Sequence, residues 1–579
     1  MNEAQAGRIR DNFAAAILFF ATAAFTLWQN SHVAILWDIS YLLDSSYRIS
    51  LGQLPYRDFP FAHAPLTFIL HAAIIKLFGR VYLPHILCAA LEAGAATVLT
   101  WHILLNVLHQ KEPIILAQLE SPHLPSRPDH YAWPIATLLV TPLTVLGIYG
   151  IYPHPIYDSD CILVILLAIY LLQRADAGII RSVLAGAVTV LPLFFKQNIG
   201  LIFLIITTAA VAYIAAARRL DHTSTKPQLW FFTGAAVTLA AALFAIHATV
   251  GLHNYVYWTV SFAAQRRLPG IGMILTIYHQ TSLLWTIPAA IAGVALVRRD
   301  RPRAKPWVRP FALILIAAPF LWTVAALAIT TDADDRADQL LSLWPYLLIL
   351  AAALAIDNLR PRNRLARPTL NALLPLILLA TIHGAFLSQQ LWGSTYALWP
   401  LLLVLIAAMF TKTATIARPL AAIIAATFFL CGGLYSLSHE RLNYVRLDGA
   451  EARATLPGLR GLTTPGPWIP AFEELIRVTN ADIPMGDGVI LLPGEVPFFF
   501  AAGRTPQFPV LLFDPATDPY TPQQTLDQAC RQNIRWLIVT RNPQLVDIPK
   551  PDLPEVLRVL QQDFAPYRTL TKYDIYRRK

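Results

Sequence analysis

The sequence predicts an α-helical, multi-pass membrane protein with about 13 spans and a small C-terminal α/β domain. The composition is the first reason: of 579 residues, 56% are hydrophobic and only 14% are charged, as in polytopic membrane proteins. The second reason is a succession of apolar runs that ends near residue 437. The third is the change after residue 440, where runs of about 20 apolar residues no longer occur.

The predicted spans are mainly apolar segments, several of them short. The run at 66–78 is interpreted as a helix on the outer surface. Because no small-residue cleavage site follows the first span, that span is interpreted as an uncleaved signal anchor. The predicted spans are 13–29, 81–105, 133–150, 160–173, 182–195, 199–217, 230–250, 281–297, 310–330, 338–356, 369–387, 397–410 and 418–437.

The distribution of basic residues predicts the orientation of these spans in the membrane. With the N-terminus inside, the inner segments carry 21 Lys and Arg residues and the outer segments before His439 carry 8. This asymmetry agrees with the positive-inside rule. It predicts a multi-pass protein of the plasma (inner) membrane, with a cytoplasmic N-terminus and an extracytoplasmic C-terminal domain.

The net charge of +10 does not indicate nucleic-acid binding. The segment after His439 has 16 basic and 16 acidic residues, so the excess lies in the short loops between spans, where topology explains it. Nothing in the sequence requires a nucleic-acid partner. The four cysteines have no metal or disulfide spacing.

The outer segments collect charged side chains. The segment 37–66, directly after the first span, is the most concentrated and alternates charges with aromatic residues and Pro. Such a surface suits a phosphate-bearing substrate and a divalent metal cation. The outer acids are Asp38, Asp44, Asp58, Asp158, Asp160, Asp332, Asp334, Asp335 and Asp338, and the basic residues among them include Lys196, Arg266, Arg267 and Arg336.

The last part of the chain is predicted as a Pro/Gly-rich linker at 439–469 and a soluble α/β domain at 470–579. Strands are expected at 488–492 and 534–540, the second buried at the centre of the sheet, and helices at 521–533 and 551–564. The terminal YDIYRRK is expected to form an edge strand. Since the domain lacks a nucleotide-binding motif, an enzyme of this kind would need a donor other than a cytosolic nucleotide.

Four stretches in order resemble the GT-C superfamily of integral-membrane glycosyltransferases, specifically the protein O-mannosyltransferase and aminoarabinose-transferase group. They cover roughly the first 200 residues and also agree with a late soluble domain. They are WDISYLLDSSYRISLGQLPYRDF, HAPLTFILHAAIIKLFG, IYDSDCILVILLAIYLLQR and LAGAVTVLPLFFKQNIGL.

The resemblance implies transfer of a hexose or pentose from a polyprenyl-phosphate donor to a lipid, glycan or protein acceptor on the outer membrane face. In that reading Asp38 is the base and Lys196 contacts the donor phosphate. Asp158 orients the site, with Asp160 as the alternative, although either acid could be a helix N-cap.

The remaining candidates carry less specific roles. Asp58 is a second catalytic candidate, and with His63 it could bind a cation, although such a pair is more often structural. Tyr56, Arg57, Arg266, Arg267 and Arg336 are candidate substrate contacts. Other functions stay open: a transporter or flippase of lipid-linked saccharides, for which no internal repeat is evident, or a polysaccharide polymerase or ligase.

Overall fold

The computed structural model shows a helical membrane region followed by a small domain built on a β-sheet. It describes residues 3–32, 36–109, 129–150, 153–267, 275–299, 307–329, 340–359, 368–387, 397–410, 416–437, 449–515, 517–544 and 551–579. The helices are α1 (Glu3–Ser31), α2 (Trp37–Ser50), α3 (Leu66–Phe78), α4 (Leu83–His109), α5 (Asp129–Val140), α6 (Leu143–Leu146), α7 (Tyr157–Leu172), α8 (Ile179–Val190), α9 (Pro192–Phe195), α10 (Gln197–Leu220), α11 (Lys226–Thr249), α12 (Leu252–Val256), α13 (Ala263–Arg267), α14 (Leu283–Arg299), α15 (Val308–Ile329), α16 (Leu343–Leu359), α17 (Leu370–Ala385), α18 (Trp399–Met409), α19 (Ala417–Leu437), α20 (Trp468–Asp482), α21 (Phe498–Ala502), α22 (Pro522–Arg531) and α23 (Leu553–Leu560).

Six of the described helices are long and apolar enough to cross a bilayer. They are α1, α4, α10, α11, α15 and α19, and shorter apolar helices of 10–17 residues lie among them. The chain is therefore a helical, multi-pass membrane protein, as the sequence predicts. The count of 13 spans remains a prediction.

Close helix packing builds the membrane core. Helix α4 packs against α1, α5, α7 and α18, and one large apolar cluster runs through these helices. Helices α8 and α11 approach so closely that a Cβ at Gly186 would lie 1.9 Å from the Phe231 carbonyl oxygen. Glycine at this position therefore permits the contact.

The outer segment after the first span folds into two helices. Helix α3 matches the expected surface helix and ends at Gly79, whose φ of 77° is accessible mainly to glycine. Helix α2 packs against α3 on one side and α21 on another.

The C-terminal domain contains a four-stranded sheet with helices on both faces. The strand order is β3 (Gly488–Leu492), β4 (Ile534–Thr540), β6 (Tyr573–Arg578) and β5 (Phe564–Thr569), with β3 and β4 parallel and the other pairs antiparallel. Side chains alternate between a core shared with α20 and one shared with α22 and α23. The predicted strands at 488–492 and 534–540 are confirmed, as is the Thr521 cap of α22.

The expectation of an edge strand at YDIYRRK is wrong. Strand β6 lies between β4 and β5, because a tight turn pairs it with β5 while its other edge pairs with β4. Part of the segment predicted as a linker also has regular structure, since β1 (Glu451–Arg453) and β2 (Thr463–Pro465) form an antiparallel hairpin. The domain boundaries proposed from the sequence remain predictions.

Candidate active site

Asp38 lies in the first turn of α2 with its side chain 33% exposed. The Nε2 atom of His154 is 3.7 Å from its Oδ2 atom, and the imidazole is buried. Because burial disfavours a charged ring, the pKa of His154 is lowered despite the opposing effect of Asp38. The Nδ1 atom of this ring lies 3.2 Å from the Pro155 carbonyl oxygen, and Nε2 is the ring nitrogen that faces Asp38.

A buried ion pair lies next to this carboxylate. Lys196 contacts Asp158 directly, and their side chains are only 7% and 11% exposed. Asp158 is in the first turn of α7 and interacts electrostatically with Asp38. The structure thus brings together Asp38, Asp158 and Lys196, three residues for which the sequence predicted catalytic or phosphate-binding roles.

The backbone around Lys196 explains its placement. Lys196 is extended, with φ −145° and ψ 108°, and separates the short helix α9 from α10. One turn later, a Cβ at Gly200 would lie 2.2 Å from the backbone nitrogen of Leu193. Glycine at this position allows α10 to pack directly against α9, which fixes the direction in which Lys196 leaves the backbone.

Half-buried aromatic side chains border the ion pair. The Lys196 ammonium lies 5.2 Å from the centroid of the Tyr157 ring, whose centroid is 4.8 Å from that of His63. The Tyr41 hydroxyl is 3.2 Å from His63 Nδ1. Tyr41, His63 and Tyr157 are all partly exposed, so they form a wall on which a sugar ring could stack.

Asp160 occupies a separate, fully buried cluster. Its carboxylate accepts a hydrogen bond from Thr67 Oγ1 (2.5 Å) and lies 3.4 Å from the Tyr149 hydroxyl, which donates to Glu92 at 2.7 Å. Glu92, an acid within α4 for which the sequence suggested no role, therefore joins α4 to this cluster. Neither Asp158 nor Asp160 is the N-cap of α7, since that position is Ile156.

The loop acid Asp58 lies at the other end of α2 from Asp38. It pairs with Arg57 at 2.8 Å, accepts from the backbone nitrogen of Leu54 and interacts electrostatically with Arg48. Arg48 follows Asp38 by ten residues, or about 15 Å of helix. The hydrogen bond from Arg57 lowers the pKa of Asp58. These contacts link Asp58 to the end of α2 that is far from Asp38.

Tyr56 contributes to the framework. Its side chain is 4% exposed, and its hydroxyl donates to the backbone carbonyl of His63 at 2.6 Å. Burial raises the pKa of this phenol well above its usual value. The side chains of Arg266 and Arg267, and all of Arg336, lie outside the described residues, so their predicted substrate contacts remain predictions.

A metal site would need a larger donor set than Asp58 and His63. Among the described residues, no group of three or more His, Cys, Asp and Glu side chains is arranged to hold a metal ion. The cation-binding role of Asp58 and His63 remains a prediction from the sequence.

Three residues of this site, His154, Tyr41 and Tyr157, were missed by reasoning from the sequence. His154 lies in a loop 116 residues from Asp38, and no local spacing signals their contact. Tyr41 follows Asp38 by three residues within the same helix, so helical periodicity could have placed both on adjoining faces. A histidine between two prolines in YPHP, directly before Asp158, was the available signal for His154.

Comparisons with known proteins give distant similarities. No protein-family model and no curated protein matches the sequence. Solved structures that match include ArnT from Cupriavidus metallidurans bound to undecaprenyl phosphate, with 10% identity and a TM-score of 0.41 over 99% of this chain and 98% of that one. ArnT from the same organism in the apo state matches with 12% identity and a TM-score of 0.40 over the same shares.

A third match is the oligosaccharyltransferase AglB from Archaeoglobus fulgidus, in complex with an inhibitory peptide and a dolichol-phosphate. It has 11% identity and a TM-score of 0.43, covering 91% of this chain and 69% of that chain. At these identities and TM-scores, neither residue roles nor substrates transfer to this chain.

Proposed function

We propose that this protein is a membrane glycosyltransferase that moves a sugar from a polyprenyl-phosphate donor to an acceptor on the extracytoplasmic face. The observation that carries the proposal is the combination of a partly exposed carboxylate, Asp38, with a buried lysine–carboxylate pair, Lys196 and Asp158. Such a site can deprotonate an acceptor and stabilise an anionic leaving group at the membrane surface.

Asp38 acts as the general base. As the acceptor hydroxyl attacks the anomeric carbon of the donor, its proton passes to the Asp38 carboxylate, a contribution typically of about 10²–10⁴-fold in rate. Burial lowers the pKa of His154, which disfavours a protonated ring beside Asp38. A protonated His154 would pair with Asp38 and weaken it as a base.

Lys196 stabilises the leaving group. The bond that breaks joins the anomeric carbon to a phosphate oxygen, so negative charge accumulates on the lipid phosphate. The Lys196 ammonium has three N–H donors, and one of them contacts the Asp158 carboxylate. Asp158 thus holds the ammonium in place, and the other donors can bind phosphate oxygens.

The aromatic wall supplies the sugar subsite. Tyr41, His63 and Tyr157 are half-buried and are linked by contacts to Lys196, and Tyr41 follows Asp38 by three residues in α2. A pyranose or furanose ring stacked there would lie beside the ammonium that contacts the donor phosphate. Because the site follows the first span directly, a donor embedded in the outer leaflet can reach it.

The proposed topology has the N-terminus in the cytoplasm and the C-terminal domain outside the inner membrane, as the distribution of basic residues indicates. The acceptor is a lipid, glycan or protein at that outer surface. The active-site residues would then face the compartment in which polyprenyl-linked sugars are consumed.

A donor screen tests the proposal. Purified protein in detergent would be incubated with labelled polyprenyl-phosphate hexoses and pentoses, and release of polyprenyl phosphate with transfer of label would be followed. We expect turnover with one donor class and a large loss in Asp38→Asn. A protein that binds and translocates such lipids in vesicles without breaking the sugar–phosphate bond would instead be a flippase.

A further inference from the structure

Helix α2 carries the proposed base on one face and contacts the C-terminal domain with another. Leu36, Ser40, Asp44 and Arg48 recur at every fourth residue and therefore form one stripe along the helix. At about 100° per residue, Asp38 lies about 160° around the helix from Ser40. The two functions of the helix are thus separated by its geometry.

Every position of this stripe bonds to the C-terminal domain. The backbone nitrogen of Leu36 donates to Gln544 Oε1 at 3.0 Å, and the Ser40 hydroxyl lies 2.5 Å from the carbonyl oxygen of Gly494 and 3.0 Å from that of Val496. Further along, Arg48 Nη1 donates to the carbonyl oxygen of Pro509 at 2.7 Å.

Asp44 makes the central contact of the stripe. Its two carboxylate oxygens accept from the backbone nitrogens of Phe500 at 2.7 Å and Phe499 at 3.3 Å, in the first turn of α21. The side chain is 2% exposed, so this contact is shielded from water. Burial raises the pKa of Asp44 to about 8, although the two backbone donors oppose the shift.

Apolar packing continues the same interface. Ile39, Leu43 and Tyr47 of α2 belong to one buried cluster with residues of α20 and α21. A 14-residue helix is marginally stable on its own, and packing normally decides where it lies. The C-terminal domain and α3 together therefore set the position of α2.

We propose that the C-terminal domain positions the base of the active site through α2, with Asp44 as the principal positioning residue. This inference rests on the proposed function. Since a misplacement of about 1 Å can cost about 100-fold in rate, loss of the Asp44 contact lowers turnover. The phosphate contact is spared, because Asp158 lies in α7 and Lys196 lies between α9 and α10, outside α2.

The test compares two buried carboxylates of the intact membrane protein. Asp44→Ala removes the contact with α21. Glu473→Ala is the matched control, since Glu473 similarly accepts from the backbone nitrogens of Thr455 and Leu456 and is 7% exposed, but these bonds lie within the C-terminal part of the chain. Hydrogen exchange of α2 and steady-state kinetics are measured for both.

We expect Asp44→Ala to speed amide exchange in α2 and to lower kcat about 10- to 100-fold, with the affinity for polyprenyl phosphate unchanged. Asp44→Asn, which retains an oxygen for the Phe500 amide, should restore most of the turnover. Glu473→Ala should leave exchange in α2 as in the wild type. Should Asp44→Ala fail to fold, Ser40→Ala supplies a milder loss of the same interface.

Unchanged amide exchange in α2 after loss of the Asp44 contact would overturn the inference. An equal increase of exchange in α2 caused by Glu473→Ala would overturn it as well. A wild-type protein without transferase activity would instead refute the proposed function. The exchange measurements would still decide whether the C-terminal domain holds α2.

Discussion

The ion pair between Lys196 and Asp158 allows a prediction that separates stability from donor binding. Replacing Lys196 by methionine keeps the apolar stem and removes the ammonium. Because the two side chains are only 7% and 11% exposed, solvent compensates little for the carboxylate left behind. Breaking a buried pair in this way typically costs about 3–5 kcal/mol.

A double variant distinguishes this cost from the functional one. Adding Asp158→Asn to Lys196→Met removes the unpaired charge, so most of the lost stability should return. Affinity for polyprenyl phosphate should not return, because the charge-assisted contact is still missing. Such a contact is worth about 1.5–3 kcal/mol, which corresponds to a loss of about 10- to 100-fold.

Thermal unfolding in detergent and calorimetric titration with polyprenyl phosphate would measure the two effects. The single variant should be clearly less stable than the double variant, while both bind the lipid weakly. A single variant as stable as the wild type would refute the buried ion pair. Wild-type affinity in the double variant would refute the phosphate-binding role of Lys196.

Further predictions concern pH, topology and the histidine beside the base. Burial raises the pKa of Asp44 from 3.8 to about 8 and that of Glu495 from 4.5 to about 7. Folding therefore favours the protonated forms of both side chains. The stability that they contribute at low pH is lost as pH rises from about 4 to 8. After correction for the intrinsic pH dependence of amide exchange, α2 should exchange faster at pH 9 than at pH 6, and Asp44→Asn should reduce this difference. An equal pH dependence of exchange in the wild type and in Asp44→Asn would contradict the role given to Asp44. Reporter fusions at Arg301 and Arg504 should report opposite sides of the membrane, and agreement between them would exclude the proposed topology. His154→Gln should leave donor KM unchanged and lower kcat about 10-fold, within the range for groups that position a base; wild-type kcat across the pH range would remove His154 from the site.

Elements with a strong local pattern were predictable from the sequence. Helix α3 follows from an apolar run ending at glycine, and β4 from a short run rich in β-branched residues. The order of strands was not predictable in the same way. A terminal segment with alternating buried residues fits an edge or an interior position of the sheet equally well. Strand β6 is interior because it pairs with both β4 and β5.

The residues of the candidate site were likewise only partly predictable from the sequence. Asp38, Asp158 and Lys196 could be proposed from their position beside apolar spans and from the family resemblance. The contact of Asp38 with His154 depends on how α2 meets the loop before α7, which no spacing within the sequence encodes. Likewise, the period of Ser40, Asp44 and Arg48 is visible as a polar stripe, whereas the domain that covers it lies more than 400 residues away.

The turnover of Asp38→Asn with a polyprenyl-phosphate sugar tests the central claim most directly. The amide keeps the shape of the side chain but cannot accept the acceptor proton, so kcat should fall about 10²–10⁴-fold in a protein that inserts and binds donor normally. Asp58→Asn is the control, since Asp58 lies near the far end of α2 and should retain turnover within about twofold. Near wild-type turnover in Asp38→Asn, with a large loss in Asp58→Asn, would contradict this account and assign the base to Asp58.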